Sequence, residues 1–186
     1  MATDVAERAY VWDRFVRLHH WGLASLVLVN YFVLEGPAHR WAGYAALGLV
    51  CARLAWGVVG SPYARFAAFL PTPARLRAYL ARPGVAPRGH NPLGATMVLA
   101  MLALVVALGV TGWLMRTDAW WGEEWLEDLH KTLADGLLIG AGLHVLGVVA
   151  ASLKWRINLP RAMLTGYKLR TARSAPFEER HAQNKD

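Results

Sequence analysis

The stretch Leu129–Val149, LHKTLADGLLIGAGLHVLGVV, decides the architecture. From Leu133 to Leu153 the chain is apolar, with Asp135 and His144 as its only ionisable residues. It is long enough to cross a hydrocarbon core of about 30 Å, which takes about 20 helical residues. His130 and His144 stand fourteen residues apart. At about 100° and 1.5 Å per residue, that spacing returns to nearly the same helix face about 21 Å further along the axis. One helix therefore offers two imidazoles to the same interior, near opposite membrane surfaces.

Three further stretches have the length and apolar character of spans: Leu18–Leu34, Trp41–Val59 and Leu93–Met115. The expected fold is an all-α integral membrane protein, a four-transmembrane-helix bundle, forming one domain over 1–170 with a flexible cytoplasmic tail over 171–186. Composition agrees. Of 186 residues, 55% are hydrophobic and only 18% charged, which disfavours disorder and an ordinary water-soluble fold. The 9 Trp and 17 Gly suit interfacial aromatic belts and close helix approach. The single cysteine, Cys51, excludes an intrachain disulfide and every Cys-x-x-Cys metal or haem motif, and reads as core packing. Met1 to Phe15 mix acidic and basic residues without an apolar h-region, so a cleavable signal peptide is not expected.

The net charge of +7 is read by position, and nucleic acid is not an expected partner. Sixteen of the 20 Lys and Arg lie before the first span, between the second and third, or after the fourth. Arg40, Arg116 and Lys131 occupy the other two connections, and Arg53 lies inside a span. The positive-inside rule then places both termini in the cytoplasm of a multi-pass inner-membrane protein. The outer connection, Thr117–Asp128, carries Trp120, Trp121 and Trp125 among five carboxylates, an aromatic belt followed by the acidic first turn of a long fourth helix.

With this topology His39 and His130 lie at outer depth, and His20 and His144 at inner depth. Each pair has the placement to clamp a planar metallocycle between two helices, and axial imidazoles on haem iron are the familiar use of that geometry. Gly43, Gly140 and Gly147 lie within a turn of these histidines and leave room for a flat ring. His19 points about 100° away from His20 and is expected at the interface; His181 lies in the tail. Arg53, fourteen residues after His39, reads as a partner for a propionate or a quinone, with snorkelling to the interface as the alternative. Asp135 reads as a second-sphere acceptor, a proton relay or an interfacial carboxylate.

These residues resemble the bacterial cytochrome b561 family, the di-haem cytochrome b type found with nickel-iron hydrogenases. The resemblance runs from Tyr10 to about Arg170. It rests on Arg17-Leu18-His19-His20-Trp21, His39-Arg40-Trp41-Ala42-Gly43-Tyr44 and Trp56-Gly57, then Gly60-Ser61 and Ala64-Arg65-Phe66. It continues through Gly89-His90-Asn91-Pro92-Leu93-Gly94, Thr111-Gly112, Leu129-His130, His144-Val145-Leu146-Gly147 and Ala162-Met163-Leu164-Thr165-Gly166. It implies two haem b groups, with His20 and His144 as axial ligands of the inner one and His39 and His130 of the outer one. The family's Arg-x-x-His-Trp pattern selects His20 over His19. His90 matches a family histidine that is not normally an iron ligand and is a candidate quinone or proton site.

The function expected is electron transport between a periplasmic redox protein with a basic docking patch and the quinone pool, as the membrane subunit of a quinone-linked oxidoreductase. Two axial imidazoles leave iron no open position for oxygen activation. A stand-alone superoxide:quinone oxidoreductase is the alternative. The outer connections carry three basic and six acidic residues, which favours a basic protein over a small anion. Membrane lipid is an obligate partner, and a homodimer is left open.

Overall fold

The computed structural model describes residues 7–81 and 92–170. In chain order the elements are β1 (Glu7–Tyr10), α1 (Arg14–Phe32), α2 (Gly36–Val59), α3 (Phe66–Phe69), α4 (Pro73–Ala81), α5 (Pro92–Leu114), α6 (Glu124–Trp155), α7 (Leu159–Thr165) and β2 (Tyr167–Arg170). The long helices start where local chemistry favours them. Asp13 caps α1, its Oδ1 accepting from the Val16 N–H at 2.8 Å and so satisfying a donor that the first turn leaves free. Pro37 sits in the first turn of α2, where its missing N–H has no helical partner to lose. Helix α6 opens well ahead of its apolar stretch because Glu124 and Glu127 favour the positive end of the helix dipole.

Helices α2, α5 and α6 are long and apolar enough to cross a membrane. Helix α1 falls short of that standard, since its 19 residues include Arg14, Arg17, His19, His20 and Asn30. The distribution of apolar side chains is that of a protein with lipid as its solvent: Leu18, Val58, Val59, Ile139, Leu146 and Leu153 all point outward. Cys51 belongs to this outer surface as well, not to the core as its apolar surroundings in the sequence suggest. In lipid an apolar neighbourhood does not report burial, because hydrocarbon outside is as favourable as side chains inside.

Helix α1 packs on α2, α2 on α5 and α5 on α6. The core, Ala46, Val50, Leu102, Val105 and Leu137, lies among α2, α5 and α6. Among the described residues α1 and α6 do not pack closely along their lengths. They meet through side chains: the His20 and His144 rings face each other, and the Tyr31 hydroxyl donates to Asp135 Oδ1 at 2.6 Å.

Strand β1 pairs antiparallel with β2, Tyr10 opposite Tyr167, a feature absent from the all-α expectation. Four residues per strand give too little periodicity to read, and the pairing joins segments from opposite ends of the sequence. Gly166 makes the junction. Its φ is +89°, and a Cβ there would lie 2.7 Å from the Trp12 carbonyl oxygen. Its own carbonyl accepts from the Val11 and Trp12 N–H groups at 2.9 and 3.1 Å. The start of α1 and the segment after α6 are thereby tied together at one end of the bundle. The proposed tail over 171–186, with His181, and the candidate residue His90 lie outside the described residues.

Candidate cofactor site

The four histidines singled out by spacing form two pairs. The His39 and His130 rings, from α2 and α6, have centroids 6.2 Å apart and planes inclined at 69°. The His20 and His144 rings, from α1 and α6, are also 6.2 Å apart, inclined at 51°. An imidazole nitrogen binds a first-row transition metal at about 2.0–2.1 Å, and the ring centre lies about 1.2 Å behind it, so one metal between two imidazoles sets their centres about 6.4 Å apart. Both pairs stand at that separation. Among the described residues no group of three or more His, Cys, Asp and Glu could hold a bare metal ion. Two protein ligands per site suit a metal that brings its own equatorial donors.

The surroundings of the His39–His130 pair are specific. His39 Nδ1 lies 3.2 Å from the Asn30 carbonyl oxygen, which can only accept, so Nδ1 carries the proton and Nε2 keeps its lone pair. His130 Nδ1 lies 2.8 Å from the Thr111 hydroxyl on α5. A cavity of about 490 Å³ opens beside the two rings, within the range of about 300–1,000 Å³ usual for small-molecule and cofactor sites. Asn30, Tyr31, Gly43, Gly109 and Gly112 contribute to its wall, and Arg40 and Arg116 lie at its polar edge. Asn30 Oδ1 is buried without a hydrogen-bond partner.

The His20–His144 pair is set differently. His20 Nδ1 is buried and makes no hydrogen bond, and the ring stands edge-on to Trp21 at 5.0 Å. His19 is not interfacial as expected. It is 8% exposed, packs parallel to the Phe15 ring at 6.1 Å, and holds Nε2 without a partner. The two faces of α1 are both covered at this end, one by α6 and the other by α2, so the 100° between neighbouring side chains does not carry either into lipid.

Arg53 is 4% exposed and reaches past the end of α2. Its Nη2 donates to the Ala64 carbonyl at 3.0 Å, its guanidinium lies over the Phe66 and Phe69 rings at 5.2 and 5.9 Å, and Nη1 has no partner. Gly57 has no side chain, and Phe66 fills that space against α2. Asp13 anchors the same end, accepting from Trp56 Nε1 at 3.0 Å and from the Ser61 hydroxyl. Burial alone would raise its pKa; the hydrogen bonds from Ser61, Val16 and Trp56 and the charge of Arg53 outweigh that and hold the carboxyl below its ordinary value of 3.8.

The family model for prokaryotic cytochrome b561 matches residues 11–166. The chain belongs to that family. The match takes in all four paired histidines, Arg53 and every long helix, and makes the chain a membrane b-type cytochrome of electron transfer. No curated protein and no solved structure matches it. The geometry suits a cytochrome b561: ring separations that admit a metal, a cavity beside one pair, and buried polar atoms left unpartnered beside the other. Spacing, with the family's Arg-x-x-His-Trp pattern choosing His20 over His19, singled out the paired histidines of this cytochrome b561. It missed Asn30 and Thr111 as their hydrogen-bond partners and His19 as a buried group. For Thr111 the available signal was a hydroxyl side chain in a helix whose other one, Thr96, lies in the first turns.

Proposed function

We propose that this cytochrome b561 is a four-span, di-haem electron carrier of the bacterial inner membrane. His39 and His130 ligate the outer haem and His20 and His144 the inner one. The observation that carries this reading is the pair of equal 6.2 Å ring separations, joined through α6 by histidines fourteen residues apart. Helix α1 is the fourth span: it lies along α2, and its charged Arg14 and Arg17 sit at its start, ahead of its apolar stretch, with Arg17 donating to the Leu164 carbonyl. Both termini are cytoplasmic by the positive-inside rule.

Electrons pass between a periplasmic redox protein at the acidic outer surface and the quinone pool. Arg53 meets a propionate of the inner haem or a quinone carbonyl through its free Nη1; the cover of Phe66 and Phe69 favours the propionate, which a bound haem would carry there. Quinone reacts on the cytoplasmic side near His20, with His90 as proton shuttle. The second reading, a superoxide:quinone oxidoreductase, draws support from Arg40 and Arg116 at the edge of the outer cavity, since two cations there attract an anion. Pyridine haemochrome analysis of the purified chain is expected to give about two haems per polypeptide, from two axial ligands per iron. A value near one overturns the di-haem reading.

A further inference from the structure

Helix α5 supplies no histidine to either pair, yet it touches the His39–His130 site through Thr111. This side chain is buried, and its hydroxyl makes three contacts: to the Ala107 carbonyl at 2.9 Å, to the Leu108 carbonyl at 3.2 Å and to His130 Nδ1 at 2.8 Å. A hydroxyl has one proton to give. The carbonyls can only accept, so the proton goes to the α5 backbone, in the back-bonded geometry usual for threonine in a helix. The oxygen then has only lone pairs to offer His130. The contact is satisfied when His130 Nδ1–H donates to it, which leaves the Nε2 lone pair as the free nitrogen of the ring.

The next residue completes the arrangement. A Cβ on Gly112 would lie 3.3 Å from His130 Cε1 and 3.9 Å from Nδ1. The dipeptide therefore grips the ring by its Nδ1–H and leaves its edge room. We propose that Thr111 is a positioning residue for the outer haem: by accepting from His130 Nδ1–H it fixes the tautomer and orientation of the axial imidazole and raises its basicity toward iron. The proposal rests on His130 being an axial ligand. His39 has its own acceptor in the Asn30 backbone carbonyl, which no side-chain substitution removes. Thr111 is thus the side chain through which the outer pair can be tuned, and the His20 ring has no equivalent hydrogen bond.

The test compares Thr111→Val, which keeps the shape and removes the acceptor, with Thr111→Ser, which keeps the hydroxyl. Redox titration and low-temperature electron paramagnetic resonance of the purified holoprotein are the readouts. In Thr111→Val one of the two haem midpoint potentials is expected to rise, because a less basic imidazole stabilises ferric iron less. The low-spin signal of that haem shifts, or the haem is retained about 10–100-fold more weakly. The other haem is unchanged, and Thr111→Ser restores the parent potential and signal. Unaltered potentials and signals in Thr111→Val overturn the proposal, as does equal disturbance in the Val and Ser variants, which would make the effect one of packing. His130→Ala run alongside tests the underlying reading: retention of both haems there removes His130 as a ligand, whatever Thr111 does.

Discussion

The two histidine pairs have the same ring separation and opposite surroundings. At the His39–His130 pair both Nδ1 atoms have oxygen partners, one on α1 and one on α5, and a glycine-lined cavity stands beside them. At the His20–His144 pair the His20 Nδ1 has no partner, and His19 and Arg53 each bury a polar nitrogen without one. The first site is oriented by the protein alone. The second holds more unspent hydrogen-bonding capacity than the first, which has the unpartnered Asn30 Oδ1 beside it, and such capacity is costly to bury unless a bound group uses it. The lesson is that equal ring separation does not make equal sites: one pair has both imidazoles held by hydrogen bonds, and the other has buried nitrogens left to bond.

The largest effects separate the pairs outright. His144→Ala is expected to remove the haem of the His20–His144 site and leave the other, and His130→Ala to do the reverse. Each variant should show about half the parental haem by pyridine haemochrome, given two ligands per iron, with different residual spectra. Identical residual spectra would make the two sites interchangeable and end the comparison.

Next in size is Arg53→Leu, expected to retain both haems and slow quinone-linked haem oxidation or reduction by about tenfold, the lower end for loss of a second-sphere partner. Exchange with an outer protein donor should be unaffected. His90→Ala should slow the same quinone step in stopped-flow traces by its loss as a proton shuttle. Normal quinone kinetics in both variants would move the quinone site away from this end.

The smallest effect concerns Asp13, which braces the end with the unpartnered groups. Asp13→Ala is expected to cost about 1 kcal/mol through the lost helix cap, read as a lower thermal midpoint in detergent. Because the folded-state pKa lies below 3.8, the ionised carboxylate contributes stability that is fully present above about pH 4 and fades as the pH falls through the lowered value. Asp13→Asn keeps a capping oxygen and should lose that pH dependence; an equal acid sensitivity in Asp13→Asn would assign it to other groups.

Much of this was legible in the sequence, for reasons that can be stated. Helices α2, α5 and α6 show as apolar runs because lipid selects for composition along the whole segment. The pairing of His130 and His144 with partners at matched depths follows from helix periodicity, which tertiary packing does not alter. What escaped depended on neighbours far along the chain. The Thr111–His130 hydrogen bond joins two helices, and the β1–β2 ribbon joins residues near opposite ends. His19 was misplaced because angular separation on one helix says nothing about whether a second helix covers the other face. The short helices α3 and α4 in the Pro- and Arg-rich connection had too few residues to show a period.

For the proposed di-haem carrier, the fourteen-residue interval on α6 has an electrical consequence. An electron moving between sites about 21 Å apart along a helix crosses some two thirds of a hydrocarbon core about 30 Å thick. A full charge crossing the membrane exchanges about 2.3 kcal/mol per 100 mV with the transmembrane potential. The internal transfer alone therefore takes up or releases about 1.6 kcal/mol per 100 mV, roughly a fifteenfold bias in which pair holds the electron. In the proposed di-haem carrier, an energised membrane would redistribute the electron between the two ends of the bundle with no change in the chemistry of either site.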